Sequence, residues 1–150
     1  MFQKMDIKIL TLLLVFCSLG ASHAQAGEKI WVGLYYAENN QPAAGKEMAP
    51  KALEHRLNAV FGFNYYEQVS SQSIELENEW QQWAVPRNDF FIRVEPLARK
   101  DGEPKVVYYE IYKDGFIVAK GKYEPHPDTP LFINGPDFKQ GRFIFVLEAR

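Results

Sequence analysis

Residues 105–124 read KVVYYEIYKDGFIVAKGKYE, two apolar-rich runs on either side of Asp114-Gly115. Asp-Gly between aromatic and β-branched runs is a strong hairpin signal, because a tight turn there needs residues that tolerate positive φ. Lys105 to Lys113 and Phe116 to Glu124 are therefore expected to form two antiparallel strands. A flush two-residue turn would pair Glu110 with Ala119, on a face shared with Val106, Tyr108, Tyr112, Ile117 and Tyr123. A carboxylate buried there without a partner is costly. A longer turn, with Gly115 left-handed and bulged, shifts the pairing by one residue. Val107, Tyr109, Ile111, Ile117, Ala119, Gly121 and Tyr123 then form an uncharged face, while Glu110, Lys120 and Lys122 stand on the other with Val106, Tyr108, Tyr112, Phe116 and Val118. Burial cost selects this shifted register. Its charged face still carries two tyrosines and a phenylalanine. Large apolar patches are rare on monomers, so the expectation is that a second layer covers it, with an exposed aromatic patch as the alternative.

The flanking sequence supplies the other strands. Ile30, Val32, Leu34 and Tyr36 alternate with Trp31, Gly33 and Tyr35. Phe63 to Val69, Ser73 to Trp80, Phe90 to Leu97 and Arg142 to Ala149 also read as strands, the last with Phe143, Phe145 and Leu147 on one face. Turns are expected at 39–45, 86–89, 99–104 and 125–130, and at Asn134-Gly135-Pro136. The period changes only after Pro50, where Leu53, Leu57, Val60 and Phe61 recur at helical spacing up to Gly62. These elements predict a mainly β chain: an antiparallel β-sandwich of about seven strands, with one helix between strands 1 and 2 packing over an edge or end. The alternative is an open α+β layer with the helix on one face of a single sheet.

Ahead of the first strand, residues 9–26 read ILTLLLVFCSLGASHAQA. Lys4 and Lys8, an apolar core from Ile9 to Leu19 and the triplet Ala24-Gln25-Ala26 match a cleaved secretory signal peptide. The core is too short for a membrane span, which needs about 20 residues. Two regions follow: a leader over 1–26, and one β-rich domain over 27–150 that is periplasmic or secreted, by bacterial Sec-type export. Cleavage removes the single cysteine, Cys17, so the domain has no disulfide and depends on burial. Residues 27–150 carry 15 Lys and Arg against 18 Asp and Glu, scattered without a basic stripe. Nucleic acid is thereby excluded as an expected partner, and no membrane span is expected after cleavage.

Together, the strand–helix order with Leu53 and Leu57, the run Phe61-Gly62-Phe63-Asn64-Tyr65-Tyr66, Trp83-Ala84-Val85-Pro86 and Pro130-Leu131-Phe132-Ile133-Asn134-Gly135-Pro136 resemble a group of small, uncharacterised secreted bacterial proteins of β-rich fold. The resemblance covers most of residues 29–149. It implies a single domain and brings no activity and no site residues.

Residue chemistry offers little for catalysis. After cleavage no cysteine remains, no G-x-S-x-G elbow is present, and the histidines are His55 and His126. His55 is placed on the solvated flank of the helix. His126 lies in Pro125-His126-Pro127-Asp128-Thr129-Pro130, which reads as a stiff connector, since a zinc site needs three or four ligands. Glu75, Glu77 and Glu79 line one strand face, a poor calcium site. No metal, cofactor or catalytic residue is assigned. The leading expectation is a non-enzymatic binding or assembly module that uses an apolar sheet face or edge against another envelope protein. A carbohydrate-binding module and a small hydrolase with unassigned carboxylates are the alternatives. Candidate binding residues are Trp80 and Trp83, which a strand would place on opposite faces, with Tyr65, Tyr66, Tyr108 and Tyr112.

Overall fold

A computed structural model describes residues 29–76, 82–84, 90–97 and 105–150, with backbone placement only for 82–84. The leader, Trp80, Glu77, Glu79 and the turns at 86–89 and 99–104 lie outside the described residues. In chain order the elements are β1 (Lys29–Glu38), α1 (Lys51–Phe61), β2 (Tyr65–Glu75), β3 (Gln82–Ala84), β4 (Phe90–Leu97), β5 (Val106–Lys113), β6 (Phe116–Tyr123), β7 (Leu131–Phe138) and β8 (Gly141–Ala149). They form two antiparallel four-stranded sheets, sheet A in the order β2-β1-β8-β7 and sheet B in the order β3-β4-β5-β6. The expected β-sandwich, with its helix between the first two strands, is the observed architecture.

Alternation along β1 explains its central place. Ile30, Val32 and Leu34 meet Phe143, Phe145 and Leu147 of β8 and the sheet B residues Phe90, Ile92, Val94, Val107 and Ile111 in the sandwich core. The opposite set, Trp31, Tyr35 and Ala37, packs with Ile144 and Val146 of β8 beneath α1. Both faces of β1 are buried, so its sequence is apolar almost throughout. The helix therefore covers the outer face of sheet A, not an edge or end as expected. It begins after Pro50 and ends at Gly62, whose N–H bonds the Asn58 carbonyl oxygen at 2.8 Å. Leu57 is buried, and Leu53 and Phe61 pack around it at four-residue spacing. Val60, expected in the apolar stripe, is exposed because it falls outside that spacing.

Bulges account for two further departures from expectation. The polar stretch around Ser70 interrupts no strand: β2 runs unbroken, and the register slips once, from Leu34↔Ser70 to Tyr35↔Gln68. One extra residue resets the two-residue period, which is why the alternation is hard to follow through it. Asn134-Gly135-Pro136 is not a turn but part of β7, where pairing with β8 slips between Asn134 and Asp137. Pro136 is tolerated because β7 is an edge strand.

The β5–β6 hairpin has the shifted register, with Glu110 opposite Lys120 and Ile111 opposite Ala119. The turn itself is tight, however. Lys113 faces Phe116 across Asp114 and Gly115, whose φ angles are 50° and 81°. The irregularity lies inside the strand, where the partner steps from Ala119 to Ile117 past Val118. Ile117 consequently stands opposite Tyr112 on the charged side, not on the uncharged face, and Phe116 stands opposite Lys113 on the other side, not on the charged face as expected.

Candidate functional site

Two places on the molecule gather side chains with binding potential. The first is a groove of about 460 Å³ where α1 overhangs sheet A, lined by Trp31, Tyr35, Leu53, Arg56, Glu148 and Arg150 among others. Its floor depends on Gly33, since a β-carbon there would run into the rings of Trp31 and Tyr35. The Arg150 guanidinium lies 4.2 Å from the Trp31 ring centroid and pairs with Glu148 at 2.9 Å. Tyr35 donates its hydroxyl to Gln68 Oε1 at 3.0 Å, and Gln68 Nε2 donates to Glu47 Oε1 at 3.0 Å. Burial pushes the Tyr35 hydroxyl up to about 12, so it is neither base nor nucleophile near neutral pH. Arg56 donates to the Asp128 carbonyl oxygen at 3.2 Å. These groups already spend their hydrogen bonds on one another. Sequence reasoning placed Trp31 and Tyr35 on one strand face without seeing the groove; the signal available was a glycine between two aromatics at alternate positions.

The second place is the outer face of sheet B. With Val107 and Ile111 turned to the sandwich core, alternation places Tyr108, Glu110 and Tyr112 on the opposite side. Arg93, Glu95 and Phe91 of β4 stand beside them in register. Tyr112 donates its hydroxyl to Glu110 Oε2 at 2.7 Å, and Tyr108 donates to Oε1 at 3.2 Å. Arg93 bridges Glu110 at 3.4 Å and Glu95 at 3.2 Å. The ring of Tyr112 stacks on Phe91, with centroids 5.1 Å apart and planes at 12°. Donation to Glu110 and burial hold the Tyr112 hydroxyl above its ordinary range; for Tyr108, burial comes first and the same carboxylate second. Among the described residues no second layer packs on this face, whose Phe91, Arg93, Tyr108, Glu110 and Tyr112 are half-buried. The carboxylate remains on it because two phenols and a guanidinium satisfy it, leaving its side chain only 12% exposed.

At the hairpin end of sheet B lies the largest run of exposed apolar surface among the described residues. Phe116, Ile117 and Val118 are 75%, 47% and 52% exposed. They occupy the start of β6, an edge strand of sheet B. Lys120 and Lys122 follow on the outer side, opposite Glu110 and Tyr108.

Of the residues singled out from sequence, the fold brings Tyr108 and Tyr112 together around Glu110. Tyr66 is fully buried under the helix, where its hydroxyl accepts the Phe63 N–H at 3.2 Å, so it presents no ring to a ligand. Tyr65, half-buried, starts β2 on sheet A, remote in the topology from the tyrosines of sheet B. Trp83 pairs with Arg93 through the β3–β4 backbone register, and Trp80 is outside the described residues. Phe91, Arg93, Glu110 and the run 116–118 were missed as a group, since only strand pairing gathers them.

No constellation for nucleophilic or metal chemistry forms among the described residues. His126 lies 3.5 Å from Glu124 on an exposed turn that is tied down by a bridge between His126 and Thr129. No group of three or more His, Cys, Asp or Glu side chains converges among the described residues. No described helix is long and apolar enough to cross a membrane. Comparison with protein-family models, with curated proteins and with solved structures finds no match to this chain.

Proposed function

We propose that this chain is an exported, non-enzymatic binding or assembly module that holds another envelope protein against the outer face and β6 edge of sheet B. The observation that carries the reading is the run Phe116-Ile117-Val118, three consecutive exposed apolar side chains at the hairpin end of β6, where Ile117 adjoins Tyr112 of the Tyr108–Glu110–Tyr112 face. Exposed apolar groups contiguous with aromatic and arginine side chains are characteristic of contact surfaces. Sheet A supports the choice by contrast, since its outer face is occupied by α1. The leader pattern at 1–26 supports export to the periplasm or beyond.

A photo-crosslinking side chain at position 116, activated in intact producing cells, tests the reading. The expected outcome is one discrete heteromeric adduct, lost when Ile117 and Val118 are both replaced by Ser. A protein that stays monomeric and forms no adduct overturns it. Glycan binding is the second reading, favoured by the flat Phe91–Tyr112 stack. Chemical-shift changes at these two rings on titration with a soluble oligosaccharide panel would support it, and unchanged shifts remove it.

A further inference from the structure

We infer that the regular part of the β6 edge, Ala119 to Tyr123, takes an extended segment of the partner as a fifth strand of sheet B, and that this segment carries acidic side chains two residues apart facing Lys120 and Lys122. The inference rests on the protein-binding reading above and specifies the partner's chemistry. Among the described residues β6 pairs only with β5, so alternate N–H and C=O groups along it are directed away from the sheet. An added strand satisfies such groups by main-chain bonding, and its side chains then determine which sequence is accepted.

Charge selects among possible strands. Lys120 and Lys122 are both exposed, stand two residues apart on the outer face, and make no ion pair among the described residues. The carboxylate opposite Lys120, Glu110, is occupied by Tyr108, Tyr112 and Arg93, and Glu95 is occupied by Arg93. The two ammonium groups are therefore available to a neighbouring strand. A second copy of β6 would set lysines near lysines, which disfavours self-pairing. An acidic strand meets opposite charge at both positions. The irregularity at Val118 ends the regular ladder there, so a bound segment continuing past it would cover Phe116 to Val118 with side chains, not with further ladder bonds.

The edges of sheet A are less open. The first residues of β2 are already capped, with Ala49 N–H bonded to the Tyr66 carbonyl oxygen at 2.8 Å and Gln68 N–H to the Glu47 carbonyl oxygen at 2.7 Å. On β7, Pro136 lacks an N–H and the register slips beside it.

The test uses two synthetic peptides of alternating valine and charged residues, one with glutamate and one with lysine at the charged positions. Each is titrated into the isotope-labelled protein while backbone amide shifts are followed. The glutamate peptide is expected to move the amides of Ala119 to Tyr123 and to bind on the order of tenfold more tightly than the lysine peptide, given the usual size of cross-strand charge pairs. K120E/K122E should reverse the preference, and K120T/K122T should abolish it without altering the fold. Equal binding of both peptides, shifts confined to the helix groove, or no binding overturns the inference. So does association with phosphatidylglycerol vesicles that shifts β6 amides when neither peptide does. If the position-116 adduct forms and is unaffected by K120T/K122T, the edge assignment fails while the protein-binding reading stands. If no adduct forms and no peptide binds, both fail.

Discussion

Two phenol hydroxyls and a guanidinium converge on the Glu110 carboxylate, and the phenols register that contact in their own ionisation. Tyr112 is held above its ordinary range first by donation to Glu110, whereas Tyr108 is held up first by burial. Replacing Glu110 by Gln removes the charge but keeps an acceptor, and Arg93, still paired with Glu95, then favours the Tyr112 phenolate without the Glu110 charge to oppose it. Tyr112 should fall towards 10 by more than Tyr108, as followed through ring-carbon shifts in a pH titration; an unmoved Tyr112 contradicts the network. Core residues answer to volume instead. Phe145 and Ile92 are fully buried, from facing sheets, in one cluster. Truncating either to Ala should cost about 2–5 kcal/mol in denaturant unfolding, the sum of lost transfer energy and a cavity. A loss under 1 kcal/mol would mean that the site collapses or that the face is misassigned.

At the scale of elements, the hairpin separates two features that sequence alone runs together. Penalising a buried carboxylate leads to the pairing Glu110↔Lys120, but it does not say where the extra residue sits. Asp114 and Gly115 both accept positive φ, which keeps the turn flush and moves the irregularity to Val118. Deleting Val118 should therefore leave Lys113↔Phe116 and Glu110↔Lys120 paired, with stability changed by under about 1 kcal/mol, since Val118 is exposed and its removal restores a regular ladder. Cross-strand nuclear Overhauser contacts check this, and loss of the Glu110–Lys120 contact counts against it. The same contrast runs through the molecule. The sandwich and the helix were legible because alternation and the Leu53–Leu57 spacing are local signals. The length of β2 and the continuation of β7 through Pro136 were not, because a bulge inverts the period and an edge strand tolerates proline. Of the candidate site, Tyr108 and Tyr112 were legible as aromatics on a charged face. Phe91 and Arg93 join them only through the β4–β5 register, which a hairpin read by itself does not contain.

For the whole molecule, the first and last described strands lie side by side in sheet A, from Ile30↔Ala149 to Ala37↔Arg142, and carry both the sandwich core and the helix-side core. Tyr35 sits in the helix-side layer of this central pair, so its ionisation bears on the whole fold. Its hydroxyl is raised from 10.0 to about 12 by burial, so the native state holds the proton more tightly than the unfolded chain. The resulting stabilisation is fully present below pH 10 and is lost as pH rises through 10 to 12, at up to about 1.4 kcal/mol per pH unit for each such group. Tyr36, Tyr66 and Tyr109 are also raised, with burial the first cause for each, and act in the same direction. Urea unfolding at pH 8, 10 and 11 should then show little tyrosine-linked change to pH 10 and a decline beyond it. Y35F loses the bond to Gln68 at every pH but carries no proton to lose, so its stability should fall less steeply between pH 10 and 11 than that of the parent. Parallel slopes for the two proteins would place the alkaline sensitivity outside Tyr35 and would remove it from the linkage.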